Sequence, residues 1–469
     1  MIFDVLNKKV GLNKTIALNL CGSVILQGIT FITLPIFSRI LGSSQFGYYS
    51  VFMSWEGIFS VLLALGINTS IGAGVYYYAN EYKSFRSNIL FFNIIVAFFS
   101  VLIYLLLYSK INVLLDYNFN IYVALFIVSF SVNVIGSFTS VLIFEKKALL
   151  NFILSVFLSI SNVILSLIFI VYFPRENLYE SRVYGYLVSY FTATIIIIIC
   201  YFAKNRFRID TKYLKYGIYF GLPVVFHQLS HYVLGQSDRI MMQKMSVLDS
   251  EIGIYSLFYT FCGVIRILLN AFNTSFGPYY ADYINANDKD SMVSKSKNYI
   301  ELFTIICIGF LMLSREVSYI MADEEFYGGI NLIPIITISA YFTFLYQFAV
   351  NYEFFYRRTK IIASGTIGAA IVNIILNVVF IRKFGMYGAA YSTLISYGLL
   401  FIFHFIIANN MKEKRFYIGL EHFAFGMFLI IIATCLFYLL ANYVILRWVI
   451  GALLGLFEIY RIYRRKSIF

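Results

Sequence analysis

Residues 252–277 run from Ile252-Gly253-Ile254-Tyr255-Ser256 to Phe272-Asn273-Thr274-Ser275-Phe276-Gly277, an apolar helical stretch with one charge inside it, Arg266. The stretch has an echo: residues 46–72 begin Phe46-Gly47-Tyr48-Tyr49-Ser50 and end Ile67-Asn68-Thr69-Ser70-Ile71-Gly72. Two further echoes keep the same order. Tyr184 to Tyr190 ends Leu-Val-Ser-Tyr and Tyr391 to Tyr397 ends Leu-Ile-Ser-Tyr, while Ser161-Asn162-Val-Ile-Leu resembles Val372-Asn373-Ile-Ile-Leu. The spacing stays near about 205 residues, the mark of an internal repeat of the kind found in membrane transporters.

Composition places the chain in a bilayer. Of 469 residues, 61% are hydrophobic and 13% charged, and the mean hydropathy is +0.81. A soluble protein carries about 25% charged residues. Phe (49) and Tyr (40) are abundant while Trp occurs only at Trp55 and Trp448, which is read as compositional bias plus interfacial aromatic belts rather than sugar-stacking surfaces. Cys21, Cys200, Cys262, Cys307 and Cys435 lie in apolar stretches without CxxC spacing and read as small core residues, not disulfides or metal ligands. The first apolar stretch follows Lys8, Lys9 and Lys14, lacks a cleavage site and is expected to remain as a span.

With roughly 20 apolar residues needed per crossing, the pattern predicts an all-α integral membrane protein of about fourteen spans. The spans expected are near 15–38, 47–67, 87–109, 120–144, 151–173, 184–203, 214–237, 251–274, 299–320, 331–355, 361–381, 387–408, 420–440 and 443–461. With the N-terminus in the cytoplasm, inner segments carry about 25 Lys and Arg and outer segments about 10, a positive-inside distribution. The link after the sixth span alone holds Lys204, Arg206, Arg208, Lys212 and Lys215, and the tail holds Arg461, Arg464, Arg465 and Lys466. The net charge of +13 is therefore read as topology and attraction to anionic lipid rather than nucleic-acid binding. The expected organisation is an N-lobe over 1–208, a C-lobe over 209–411 related by a parallel repeat, and two C-terminal helices over 412–469. No loop exceeds roughly 25 residues, too little for a soluble catalytic domain.

An ionisable group at the bilayer centre costs at least about 2.5–3.5 kcal/mol, so each is a candidate for function. Glu56 lies near the middle of the second span and Arg266 in the inner half of its repeat partner, the eighth. Cavity lining is favoured over a Glu–Arg pair that pins the lobes. His227, His231 and Asp238 share one face of the seventh span at spacings of four and seven. With no third ligand and no HExxH they read as a wet face rather than a metal site, and no motif supports proton or sodium coupling. Pro35 and Pro223 permit bends. Arg39, Arg239 and Lys244, at outer span ends, read as interfacial, with Arg39 kept among the candidate cargo contacts. Glu145, Glu353, Arg357 and Arg358 read as solvated at inner ends, as does the outer cluster Asp323, Glu324 and Glu325. Asn68-Thr69-Ser70 and Asn273-Thr274-Ser275 read as inner-end caps of repeat-related helices.

Several motifs together resemble a known family. Leu34-Pro35 with Ser38-Arg39-Ile40-Leu41-Gly42-Ser43-Ser44-Gln45-Phe46-Gly47-Tyr48-Tyr49-Ser50 is similar to the first helix–loop–helix of bacterial polysaccharide-biosynthesis (O-antigen) flippases. Gly221-Leu222-Pro223, Asp238-Arg239-Ile240 and Ser250-Glu251-Ile252-Gly253-Ile254-Tyr255-Ser256 repeat the likeness in the second half. These flippases belong to the multidrug/oligosaccharidyl-lipid/polysaccharide exporter superfamily. The resemblance implies two six-helix lobes around a cavity lined by the first, second, seventh and eighth helices. It implies an undecaprenyl-diphosphate-linked oligosaccharide as cargo, flipped across the bacterial inner membrane by alternating access for surface polysaccharide. Polysaccharide polymerase and chain-length regulator are the implied partners, without cofactor or nucleic acid. Related lipid II flippases use cavity arginines, one on the eighth helix, and Arg266 is the matching position. A cation-coupled multidrug or metabolite antiporter of the same superfamily, with Glu56 as coupling carboxylate, is the alternative. A polytopic glycosyltransferase or polymerase fits less well, for want of a large outer loop.

The topology is directly measurable. A cysteine at Asn205 should label with membrane-impermeant reagent only from the cytoplasmic side and one at Glu324 only from outside; external labelling at Asn205 would overturn the lobe assignment.

Overall fold

The computed structural model describes residues 12–173, 176–204, 209–411 and 416–464, with side chains from residue 28 to 463 except Lys204. Lys8, Lys9, Arg206, Arg208, Arg465 and Lys466 lie outside the described residues, as do the side chains of Lys14, Cys21 and Arg464. The described chain is helical with no strand: α1 Leu12–Leu62, α2 Ser70–Tyr77, α3 Tyr82–Leu106, α4 Tyr108–Leu115, α5 Phe119–Phe144, α6 Ala148–Tyr172, α7 Leu178–Lys204, α8 Thr211–Lys244, α9 Asp249–Phe261, α10 Gly263–Ala286, α11 Lys289–Met321, α12 Leu332–Phe355, α13 Thr359–Asn410, α14 Leu420–Leu439 and α15 Val444–Arg464. The expected spans, about fourteen, all fall in these helices. α1 and α13 hold two apiece, and α9 with α10 form one.

Both double spans break at a glycine. Gly42 (φ 67°) and Gly385 (φ 52°) interrupt α1 and α13 in the left-handed region that a side chain disfavours. Each break is closed by a glutamate from elsewhere in the chain. Glu325 Oε2 accepts from Ser43 N at 2.9 Å and Ser43 Oγ at 2.6 Å. Glu251 Oε2 accepts from Met386 N at 3.4 Å. These carboxylates satisfy backbone donors that a new helix start leaves open. Glu325, read as solvated from its acidic neighbours, is thus a capping group.

The described residues pack as two compact units: unit 1 holds those up to Thr33 and those of 45–232, and unit 2 holds Leu34–Ser44 and those from Val233 onward. Within unit 1, Asn93 on α3 donates to Asn133 on α5 at 2.7 Å, and Asn133 donates to the Ser60 carbonyl at 2.9 Å. Such interhelical bonds contribute about 0.6–2 kcal/mol each in a bilayer. At the start of α8, Tyr213 and Lys212 bond Glu81 at 2.8 and 3.0 Å. The Tyr213 bond first, then Lys212, holds the Glu81 carboxyl below the usual carboxylate range. Gln45 Oε1 accepts from Tyr179 N at 3.2 Å. That contact is the repeat counterpart of Glu251 with Met386 in unit 2, displaced along the chain by the same interval of about 205 residues.

Unit 2 holds α9–α15 and the outer part of α8. Arg447 on α15 is fully buried, pairs with Glu316 on α11 and donates to the Met312, Leu440 and Ala441 carbonyls. Arg461 pairs with Glu458 and Glu301 at 2.7 and 3.4 Å. Two ionic clusters therefore staple α15 to α11. Arg39 is exposed, and it donates to the Ile320 carbonyl at 2.9 Å while Ser38 reaches the Met321 carbonyl at 3.3 Å. The Leu34–Ser44 segment in this way closes the last turn of α11, where carbonyls lack helical partners and a cation is favoured.

Other expectations are corrected. Glu353 is wholly buried against His404 Nδ1 at 2.9 Å, and Glu145 pairs with Arg86 and with Lys147; neither is solvated. Arg239 is 4% exposed rather than interfacial. Cys200 and Cys435 are exposed on their helices. Asn273-Thr274-Ser275 is not a cap, because α10 runs on to Ala286. Its counterpart follows a tight turn, where Leu65 and Gly66 adopt positive φ; Ile67–Thr69 form a short 3-10 helix and α2, from Ser70, bends away by 68°. The later copy has Asn270 and Ala271 there, and no glycine to release the helix.

The Glu353–His404 pair predicts a stability signature. His404→Leu leaves a buried carboxylate unpaired and should cost about 3–5 kcal/mol, whereas Glu353→Leu with His404→Leu should be far milder. Melting of the detergent-solubilised protein separates them; a single variant as stable as the parent would show that the pair is not a buried ionic contact.

Candidate functional site

The polar core of unit 2 starts from the sequence Gln236-Ser237-Asp238-Arg239 near the end of α8. Asp238 is fully buried. Its carboxylate accepts from Tyr255 Oη at 2.5 Å, Asn377 Nδ2 at 2.7 Å and Thr393 Oγ1 at 2.8 Å. One carboxylate thereby joins α8, α9 and both halves of α13. Asn377 also donates to Asn373 at 3.1 Å, while its own Oδ1 is buried and accepts no bond among the described residues. Spare acceptor capacity beside a buried carboxylate is the setting in which a proton or a small hard cation is accommodated.

Arg239 is held by Ser256 Oγ at 3.0 Å, Gln236 Oε1 at 2.9 Å and the Gly235 carbonyl at 3.2 Å. Its guanidinium carbon lies 4.6 Å from the Tyr259 ring centroid. The Arg266 guanidinium carbon lies 4.3 Å from the same centroid and Arg266 donates to the Tyr259 hydroxyl. Tyr346 and Tyr397 stand within electrostatic reach of Arg266. Among the described residues of unit 2, the partner of Arg266 is therefore a tyrosine hydroxyl and not a carboxylate. Arg447, Arg461 and Arg39, by contrast, are engaged by carboxylates or helix carbonyls.

Unit 1 contributes a different set. Glu56 is 5% exposed, and its Oε1 is buried and accepts no hydrogen bond among the described residues. Tyr49, Tyr186, Tyr190 and Tyr232 lie within reach of its charge, and Arg182 stacks on Tyr49 at 3.8 Å. The repeat-related tyrosines thus hold opposite charges: Tyr49 an arginine, Tyr255 an aspartate. His227 and His231 come together edge to face, ring centroids 4.8 Å apart. His231 is exposed and His227 half-buried, whereas Asp238 on the same helix turns into the core of unit 2. Among the described residues no three His, Cys, Asp or Glu side chains cluster to hold a metal. Tyr259, Arg182 and the Asn373–Asn377 pair escaped the sequence reading. The asparagines did carry a signal, two amides four residues apart in an otherwise apolar span.

Comparison with known proteins places this architecture. A family model described as polysaccharide biosynthesis protein matches residues 12–284. The Lsg locus putative protein 1 of Haemophilus influenzae is 23% identical over 384 residues, covering 76% of this chain and 88% of that protein. The probable low-salt glycan biosynthesis flippase Agl15 of Haloferax volcanii is 21% identical over 408 residues, covering 83% of this chain and 82% of that protein. Among solved structures, the lipid II flippase MurJ in an inward closed conformation superposes with a TM-score of 0.64 at 15% identity, covering 93% of this chain and 99% of that one. A mutant of the Vibrio cholerae MATE transporter VcmN gives 0.57 at 13% identity, covering 87% and 98%. At these identities the structural likeness is one of fold. With the family model spanning more than half of its length, the chain, a multi-pass membrane protein, belongs to the polysaccharide biosynthesis protein family.

Proposed function

We propose that this protein flips an undecaprenyl-diphosphate-linked oligosaccharide from the cytoplasmic to the outer leaflet of the bacterial cytoplasmic membrane, by alternating access, for O-antigen or capsule assembly. Both termini are then cytoplasmic, and the polymerase and chain-length regulator act on the delivered unit. The observation that carries the reading is Arg266, a guanidinium in an apolar span whose partner among the described residues of its unit is the Tyr259 side chain. An ionised group so placed calls for an anion. A diphosphate supplies it, and a guanidinium meets two phosphate oxygens in one planar fork. The sugars and diphosphate cannot cross hydrocarbon unaided. With about two negative charges on the cargo, an inside-negative potential of about 100 mV favours export by roughly 4–5 kcal/mol.

Glu56 supports a second reading. A buried carboxyl oxygen that accepts no hydrogen bond among the described residues suits the coupling carboxylate of a multidrug or metabolite antiporter. Drug efflux that is lost on deletion while surface polymer is still exported would favour that alternative. A catalytic role for the Asp323–Glu325 cluster is less favoured, since Glu325 is occupied by the α1 break.

Arg266→Ala should abolish or strongly reduce export in a flippase-deleted strain at normal membrane abundance, and Arg266→Lys should be partly active. Full rescue by Glu56→Gln combined with Arg266→Gln would instead make Arg266 a mere counter-charge. Cysteines at His227 and His231 should react with a water-soluble thiol reagent in at least one state; silence at both, while neighbours label, would remove the histidine face from the transport path.

A further inference from the structure

Tyr259 lies four residues after Tyr255 and seven before Arg266, so the three share one face of the eighth span. Two guanidiniums converge on its single ring, with Arg239 at 4.6 Å and Arg266 at 4.3 Å from the centroid. The two arginines are not equivalent. Arg239 is buried, anchored by Ser256, Gln236 and the Gly235 carbonyl, and adjacent to the Asp238 carboxylate. Arg266 is only half-buried and its bond to the Tyr259 hydroxyl uses one of five donors. A ring face attracts cations most strongly where water is excluded, so Arg239 fixes the ring and the ring fixes Arg266.

We propose that Tyr259 is a positioning residue for cargo binding: backed by Arg239, it holds the Arg266 guanidinium so that its remaining donors are presented to a diphosphate. The inference rests on the reading that Arg266 contacts the cargo. An arginine free to rotate must be ordered at the moment of binding, and holding it beforehand raises affinity without adding a contact. Tyr259 and Arg239 do this without touching the cargo.

Farnesyl diphosphate, a short isoprenyl diphosphate, serves as the probe in calorimetric titration of the detergent-purified full chain, with thermal melting measured in parallel. Tyr259→Leu removes both ring and hydroxyl and should weaken binding about tenfold with an unchanged melting temperature. Tyr259→Phe keeps the ring and should recover most of that loss, falling about threefold short of the parent. Arg266→Ala should eliminate binding. If Arg266→Ala abolishes binding but Tyr259→Leu binds like the parent, the positioning role is overturned and the cargo reading stands. If Arg266→Ala binds like the parent, the cargo reading itself falls. If melting falls in step with binding in Tyr259→Leu and Tyr259→Phe restores neither, the ring is packing and the proposal is wrong.

Discussion

A carboxylate with three donors organises half of this molecule. Asp238 gathers Tyr255, Asn377 and Thr393, and through them fixes where α8, α9 and the two halves of α13 meet. In hydrocarbon an ionised group that lacks partners is expensive, and the same medium makes satisfied polar networks rigid and specific. The arrangement recurs on a smaller scale throughout. Glu353 meets His404, Arg447 meets Glu316, Asn93 meets Asn133, and each links helices distant in sequence. Apolar packing alone discriminates poorly between neighbours in a bilayer, where lipid tails are as apolar as leucine. The polar links supply the register.

Against that background Arg266 is the exception that gives the site its character. Its neighbours in unit 2 are phenols. Phenols hold a guanidinium in place without neutralising it, so its charge remains available to an incoming anion. Asp238 and Arg239, adjacent in sequence, settle their charges within unit 2 and leave a fixed scaffold on which the responsive cation rests. Rigid support beneath a partly accessible charge is the arrangement expected of a binding group that must meet its ligand in a defined orientation.

Much of this was legible in the sequence, and the limits have physical causes. Hydropathy and repeat spacing locate the spans because a bilayer imposes length and apolarity directly on the chain. Glycine at 42 and 385 is visible in the sequence, but its positive φ is visible only in three dimensions. Glu325 and Glu353 defy the local pattern for one reason: each sits near a span end, where that pattern suggests water, while its partner comes from a remote segment; Arg239 differs, being buried against its own helix and the next. Glu353 and His404 are separated by 51 positions and Ser43 and Glu325 by 282, and no local window reports such pairings. The repeat itself misleads at Asn273, where one glycine-to-alanine difference between copies turns a bend into a continuous helix.

The Leu34–Ser44 segment has a further consequence, in the order in which the chain is made. It lies in unit 2, among residues synthesised long after it, while the residues on either side belong to unit 1. Ser43 meets Glu325 282 residues later, an interval of roughly 15–60 s at ordinary elongation rates. Through that time the start of the second span has its backbone donors uncapped, and the segment from Leu34 has no native partner. The first half of the repeat is consequently not a self-contained folding unit: its final closure is deferred until the second half is in the membrane.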